Sequence, residues 1–302
     1  TALHYGYPLC DPGTVVSTAR LSRVVDYPAR DMTVTVEAGI RMEQLNELLD
    51  RERQRLPIDI PQLHRATLGG VLATNSNGPR RYGYGTLRDY VIGVSAIDGR
   101  GNLFHAGGRV VKNVAGYDLC KLMIGSLGTL AVITQVTLKL RPVPETSSWL
   151  WCSYPTWQQL DEALERLTTT ATRPVAMIAL NARAARQIVN EIHLDVPVES
   201  PTLALAIEGT QKETEWQSSV LKDELSFTGA SAMYDIPGHH GESVWTALTD
   251  YPVVTDEPLT FRANMLPSRA AGFMERADAT GISLMSHIGN GIVIGHFPDD
   301  WI

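Results

Sequence analysis

Residues 107–134 read "GGRVVKNVAGYDLCKLMIGSLGTLAVIT", five glycines in two turns around a short amphipathic run that leads into a β-branched strand. Glycine has no Cβ and tolerates positive φ, so a glycine turn beside a strand lets the backbone come close to a ligand. Its N–H groups can then point at an anion such as a pyrophosphate. A single glycine pair is more often an ordinary turn. Two more segments of the first half repeat the pattern, "TALHYGYPLCDPG" at the start and "HRATLGGVLATNSNGPRRYGYGTLRDYVIG" over residues 64–93. Three such segments with polar residues beside each point to a phosphate-bearing cofactor. There is no GxGxxG between a strand and a helix and no GxxxxGK[ST], which argues against Rossmann dehydrogenases and P-loop enzymes.

Around these turns the first half reads as short strands: "MTVTVEAG", "VIGVSAIDGRG" and "LAVITQVTLKL". One helix interrupts them, with Met42, Leu45, Leu48 and Leu49 on one face. "RPVPE", residues 141–145, is a proline-bearing connector, so we set the domain boundary there: 1–144 and 145–302. Beyond it strands and helices alternate. "WLWCSY" leads to Thr156, an N-cap with Gln159 three residues on. "PVAMIAL" precedes a helix from Asn181, and "PTLALAIEG" one from Gln211 to Leu225. "PLTFRANM", a helix from Ser268, "ISLMSHI" and "GIVIGHF" follow. This alternation predicts a sheet covered by helices on one face.

The 302 residues are enough for two cores. A net charge of -7 and the lack of a basic run argue against a nucleic-acid partner. No stretch approaches the ~20 apolar residues of a membrane helix. Cys10, Cys120 and Cys152 show no CxxC spacing and read as buried apolar residues in a reducing compartment. The first residues lack the basic and apolar regions of a signal peptide. A cytoplasmic location is therefore expected, peripheral to the inner membrane face at most. No nucleophile elbow, HExxH or convincing carboxylate pair appears, and no catalytic residue is assigned.

"ATLGGVLATNSNGPRRYGYGTLRDYVIG" followed by "GGRVVKNVAGYDLCKLMIGSLGTLAVIT" resembles the FAD-binding domain of the vanillyl-alcohol oxidase/p-cresol methylhydroxylase (PCMH) superfamily. More narrowly it is similar to the E-type subunits of bacterial glycolate oxidase, through "GPRR", "RDYVIG" and "KNVAGYDL". The resemblance implies an α+β fold: a two-lobed PCMH-type FAD-binding domain, then an α/β cap domain with a mainly antiparallel sheet covered by helices. It implies FAD in a cleft of the first domain. Gly6, Thr67, Leu68, Gly69, Gly70 and Thr74 would meet it at the first two segments. Asn77, Gly78, Arg80 and Arg81 would lie along the cleft, the arginines offsetting phosphate charge. Gly125, Gly128 and Thr129 would supply a second backbone edge, and Ile133 would meet the adenine or ribose end. Lys112, Asn113, Tyr117 and Asp118 would order a closing loop. Each polar residue also has a structural alternative: Lys112 as a solvated lysine, Asp118 as an N-cap, and Arg80 and Arg81 as partners of carboxylates such as Asp89.

The family's pyrophosphate loop, with its histidine for covalent attachment, maps before Thr1, and His4 falls later. Non-covalent FAD is therefore expected. Relatives that oxidise 2-hydroxy acids carry HxGDGNxH, whose histidines hold a metal. "SHIGNGIVIGHF" matches it at His287 but has Asn290 for the aspartate and Ile294 for the second histidine, so no metal is assigned. His296, two residues later, shares the strand face by parity. His239 and His240 read as solvated. By resemblance, the chain is an FAD-binding subunit acting on a small 2-hydroxy acid, oxidising glycolate to glyoxylate. Its partners would be a flavoprotein D-type and an iron–sulfur F-type subunit. A self-sufficient 2-hydroxy-acid dehydrogenase and a flavin-less structural subunit are the alternatives.

Overall fold

The computed structural model describes residues 14–108, 117–236, 238–253 and 259–298. The chain forms two compact units, Thr1–Asn77 with Gly85–Val143, and Gly78–Tyr84 with Pro144–Ile302. It thus enters the second unit twice, first through a seven-residue excursion that a continuous 1–144 domain does not contain.

The first unit begins with β1 (Val24–Asp26), β2 (Thr33–Glu37), α1 (Met42–Asp50), β3 (Gln54–Arg55) and α2 (Leu68–Thr74). The excursion carries α3 (Arg81–Tyr84). The chain then returns for α4 (Leu87–Tyr90), β4 (Val91–Asp98), β5 (Leu103–Gly107), α5 (Leu119–Met123), β6 (Ala131–Lys139) and β7 (Arg141–Pro142). Five strands make an antiparallel sheet in the order β1-β2-β6-β4-β5, and β3 pairs with β7. Alternation sets its register: Val34 and Val36 lie opposite Leu138 and Val136, all four fully buried. In α1 the expected face is inward, with Met42, Leu45 and Leu49 buried and Leu48 half-buried.

The second unit continues with β8 (Thr146–Ser153), α6 (Trp157–Leu167), β9 (Ala176–Leu180), α7 (Ala182–Ile192), β10 (Thr202–Gly209) and α8 (Gln211–Leu225). Then come β11 (Ala232–Ile236), α9 (Gly238–Asp250), β12 (Leu259–Asn264), α10 (Pro267–Asp278), β13 (Ser283–His287) and β14 (Ile292–Phe297). The seven strands pair in the order β11-β8-β10-β9-β13-β14-β12, antiparallel throughout. Helices cover both faces of this sheet, not the one face expected. Every residue of β9 is buried, and a strand with one wet face would alternate. Met177 and Ala179 pack with side chains of α6, α8 and α10. Ala176, Ile178 and Leu180 pack on the opposite face with those of α7 and α9. Among the described residues no helix is long and apolar enough to cross a membrane.

Helix starts follow their caps. Thr156 Oγ1 accepts from Gln159 N, and Thr210 and Glu213 form a reciprocal capping box. Asn181 is more than a cap. Its Oδ1 accepts from Ala184 N and Leu284 N, both at 3.0 Å, while its Nδ2 donates to Asp278 Oδ1 at 2.7 Å and Ile282 O at 2.8 Å. One buried amide therefore joins the start of α7 to α10 and β13. Asn181→Ala removes the cap and strands several buried polar groups, and is expected to cost about 3 kcal/mol. Urea unfolding measures this, and a loss below about 1 kcal/mol, the size of a simple cap, would reduce Asn181 to that role.

Candidate functional site

In the first unit, α2 starts at Thr67, whose Oγ1 accepts from Gly70 N at 3.3 Å. Leu68 N donates to Ile40 O at 2.9 Å and Gly69 N to Ala38 O at 2.7 Å. A Cβ on Gly69 would stand 3.0 Å from Ala38 O. The N–H groups of Leu68, Gly69 and Gly70 thus serve the protein itself, and Gly69 is glycine because α2 presses on the chain just after β2. A direct anion cradle of these donors, expected from the sequence, is not what the turn presents. Thr74 Oγ1 is also internal, donating to Gly70 O at 2.9 Å and lying 2.6 Å from Ser76 Oγ.

The second glycine turn is tied to the end of that helix. Gly125 N donates to Leu72 O at 2.9 Å and Leu127 N to Ala73 O at 2.8 Å. The two glycine-rich stretches are therefore neighbours in one unit. Gly125, Leu127 and Gly128 all have positive φ (82°, 52° and 72°), and nothing lies within 4 Å of the Cβ position of Gly128. Leu127, Leu130 and Val132 are exposed close by in the chain. Asn77 Oδ1 and Ser126 Oγ are buried without a hydrogen-bond partner. Leaving such an atom unsatisfied costs about 1–3 kcal/mol, so an external polar partner would relieve both. Open glycine backbone, unsatisfied polar atoms and exposed apolar side chains fit a ligand with both polar and flat apolar parts, as FAD has.

Other predicted residues are placed as follows. Thr129 Oγ1 donates to Ser126 O at 2.7 Å, closing the turn. Ile133 is buried, and it is the neighbouring Val132 that is exposed. Asp118 caps α5 by accepting from Lys121 N, and the Lys121 ammonium with that N–H holds its carboxyl below the ordinary range. Gly6, Lys112, Asn113 and His4 lie outside the described residues.

Gly78, Arg80 and Arg81 belong to the second unit. Arg80 Nε donates to Glu208 Oε1 at 2.9 Å, its Cζ sits 3.6 Å from the Trp245 ring centre, and Tyr84 Oη donates to Glu208 Oε2 at 2.8 Å. Arg80 does pair with a carboxylate, but with Glu208 and not Asp89. Asp89 Oδ2 instead accepts from Thr86 N and Oγ1, capping α4. Glu208 and Trp245 escaped the sequence reading because their partners lie far along the chain.

His287 ends β13 and is 4% exposed, with Nδ1 unpartnered. Burial first, then the Arg81 and Arg262 charges, push its pKa down to about 3. His287 pairs with Ile292, whereas His296 pairs with Ser283. Four residues of β14 separate the two levels, about 13 Å. His296 is also engaged at both nitrogens, Nδ1 with Thr260 Oγ1 and Nε2 with Tyr251 O, each at 2.9 Å. The two histidines do not share a ligand. Among the described residues no three His, Cys, Asp or Glu side chains are grouped to hold a metal.

A pKa below the ordinary 6.5 means that the unfolded chain takes up a proton that folded His287 refuses. Its contribution is complete above pH 6.5 and falls on acidification toward pH 3, by about 1.4 kcal/mol per pH unit. Urea unfolding at pH 6.5 and pH 5 should show His287→Gln losing about 2 kcal/mol less than the native protein over that interval. Equal losses would mean that His287 titrates normally.

Residues 1–107 match the FAD binding domain family. The chain is 31% identical over 243 residues to the mitochondrial D-lactate dehydrogenase [cytochrome] of Arabidopsis thaliana, an alignment covering 80% of this chain and 42% of the relative. It is 39% identical over 125 residues to glycolate oxidase subunit GlcE of Escherichia coli (strain K12), covering 41% of this chain and 36% of the relative. The chain thus spans less than half of either. Its fold matches that of p-cresol methylhydroxylase, with a TM-score of 0.69 at 12% identity over 94% of this chain and 65% of the other. Residues 1–107, which include α2, are thus an FAD-binding domain by their family match, and the chain shares the fold of p-cresol methylhydroxylase.

Proposed function

We propose that this chain is the flavin-binding subunit of a glycolate-oxidase-like complex, taking part in oxidation of a small 2-hydroxy acid such as glycolate. Partner subunits, a second flavoprotein and an iron–sulfur protein, receive the electrons on this reading. FAD, when bound, supplies acceptance of the electron pair from the hydroxyl-bearing carbon. The residues of the chain bind and orient it. Asn77 and Ser126 offer the polar atoms that lack a partner within the protein. Gly125 and Gly128 give a backbone edge free of side chains, with Thr129 closing the turn. Thr67, Leu68, Gly69, Gly70 and Thr74 act one step back, holding α2 where its end meets that turn.

The observation that carries the subunit reading is the separation of His287 from His296, with Ile294 between their levels. An alkyl side chain offers no lone pair, so a two-histidine metal site of that spacing lacks its second ligand among the described residues. One observation favours a self-sufficient D-2-hydroxy-acid dehydrogenase instead: the match to D-lactate dehydrogenase covers 80% of the chain, against 41% for the glycolate oxidase subunit.

The test has two parts. Gly128→Val should lose bound flavin while keeping its helical circular dichroism, because a β-branched residue opposes positive φ and fills the open approach. Full flavin occupancy in that variant would sink the cofactor map. Flavin-loaded protein mixed anaerobically with glycolate or D-lactate should bleach little by itself and readily with partner subunits added. Rapid bleaching of the chain alone would decide for the independent dehydrogenase.

A further inference from the structure

Helix α8 has one face that the second unit does not use. Thr214, Gln217, Leu221 and Leu225 are its buried side, and the two leucines join the core under the sheet. On one flank Ser218 Oγ and Lys222 Nζ both donate to the Asp235 carboxylate of β11. The remaining face carries Trp216, Val220 and Glu224, four residues apart and so stacked on successive turns. Phe227 follows in the 3-10 turn Ser226–Thr228. Phe227 is 88% exposed and Trp216 52%, and no other tryptophan among the described residues is exposed.

Beside this face, α6 and α8 leave a groove of about 410 Å³, lined by Glu162, Glu165, Arg166, Glu224, Phe227 and Thr228. In α6 the buried residues are Trp157, Leu160, Ala163 and Leu167, which leaves Glu162, Glu165 and Arg166 on the outer side. Three carboxylates therefore line the groove against one guanidinium. Glu224 Oε2 is buried there without a hydrogen-bond partner. Negative charge is crowded along α6 as well: burial first, then Glu165 and Glu275, push the Asp161 carboxyl up. The groove thus brings together an exposed aromatic ring, an excess of negative charge and a carboxylate oxygen that the protein leaves unsatisfied.

A solvated charged face is ordinary, but it needs no phenylalanine held out in water. Covering such a ring is worth about 1.5–3 kcal/mol, so this surface gains by being covered. The sign of the charge decides by what. A second copy, docked about a two-fold axis, would set the acidic groove against itself and bring like charges together. Nucleic acid and anionic lipid are repelled in the same way. A lysine or arginine supplies what is missing: its N–H groups donate and accept nothing, which suits Glu224 Oε2, and its charge is attracted to aromatic faces. We propose that the α6–α8 groove docks a cationic amphipathic segment of another protein. Its apolar side chains lie on Phe227 and Trp216, and its lysines or arginines lie among Glu162, Glu165 and Glu224. Neither flavin nor hydroxy acid enters this contact, so it is independent of the proposed function.

The experiment titrates the whole protein with a synthetic helical peptide that carries lysines on one face and leucines on the other. Its counterpart with glutamates for lysines and the small polyamine spermidine are titrated alongside, by calorimetry and tryptophan fluorescence. The lysine peptide should bind saturably and shift an emission that Trp216→Phe removes, and the glutamate peptide should not bind. Phe227→Ala, and Glu162→Gln together with Glu165→Gln, should each weaken binding about tenfold. These three side chains are exposed, so the variants keep the fold. Glu43→Gln with Glu47→Gln removes the same charge from exposed positions of α1 and should leave Kd unchanged. No saturable binding, or equal weakening by the α1 pair, would overturn the docking site. Spermidine bound as tightly as the peptide would overturn the class of occupant. Dimerisation of the chain that Phe227→Ala abolishes would give the groove to a second copy instead.

Discussion

Glu208 is a carboxylate whose side chain has no exposure to solvent, near the end of β10, an interior strand of the seven-stranded sheet. Taking such a charge out of water is tolerable only if a cation and further hydrogen bonds meet it. Here both come from outside the second half of the chain. Arg80 supplies the charge, stacked on Trp245, and Tyr84 supplies the second hydrogen bond. Removing one member of such a pair typically costs 3–5 kcal/mol, because it strands the other. That energy keeps residues 78–84 on the second sheet. The positions of Arg81 and Tyr82 follow from it, and with them the electrostatics around His287.

Glycine serves separate purposes in the two first-unit turns, although both read alike in sequence. At Gly69 the missing Cβ makes room for the protein's own backbone, and the local N–H groups are consumed by Ile40, Ala38 and Thr67. At Gly128 no protein atom uses the space, and the backbone takes a left-handed conformation. Leu127, just before Gly128, adopts positive φ, a conformation that costs an L-residue about 1 kcal/mol or more. The first turn builds the support and the second presents the open edge. The polar residues nearest each turn divide in the same way. Thr67 and Thr74 are spent on α2, and Asn77 and Ser126 retain unsatisfied atoms.

Local rules made much of the fold legible. Helix starts at Thr156, Asn181 and Thr210 are short-range chemistry between a side chain and N–H groups three residues on, and the strands are continuous apolar or alternating runs. What depends on distant partners was not legible. The strand "AMYDI" is a partly exposed edge with weak patterning, visible only by its pairing with β8. Helices on both faces follow from burial at every residue of β9, which a short apolar run does not reveal without its neighbours. In the candidate site, the glycine turns and Asn77 could be named from the sequence, but which N–H groups were already in use could not. Arg80 could be expected to pair with a carboxylate, yet its partner lies on β10 and depends on tertiary packing alone.

The surroundings of His287 show how neighbours can reverse what a histidine motif suggests. A histidine ligates a cation through a lone pair, and an adjacent carboxylate strengthens that by placing negative charge nearby. In this chain the carboxylate position is Asn290, and the next side chains acting on the ring are two arginines. Burial already disfavours the imidazolium, and the arginines disfavour it further, so the ring stays neutral and the net local charge is positive. Neutral histidine would suit a metal, but positive charge from two guanidinium groups opposes one. The buried atoms Arg81 Nε, His287 Nδ1 and Asn290 Oδ1 have no partner within the protein, and each is costly while unsatisfied.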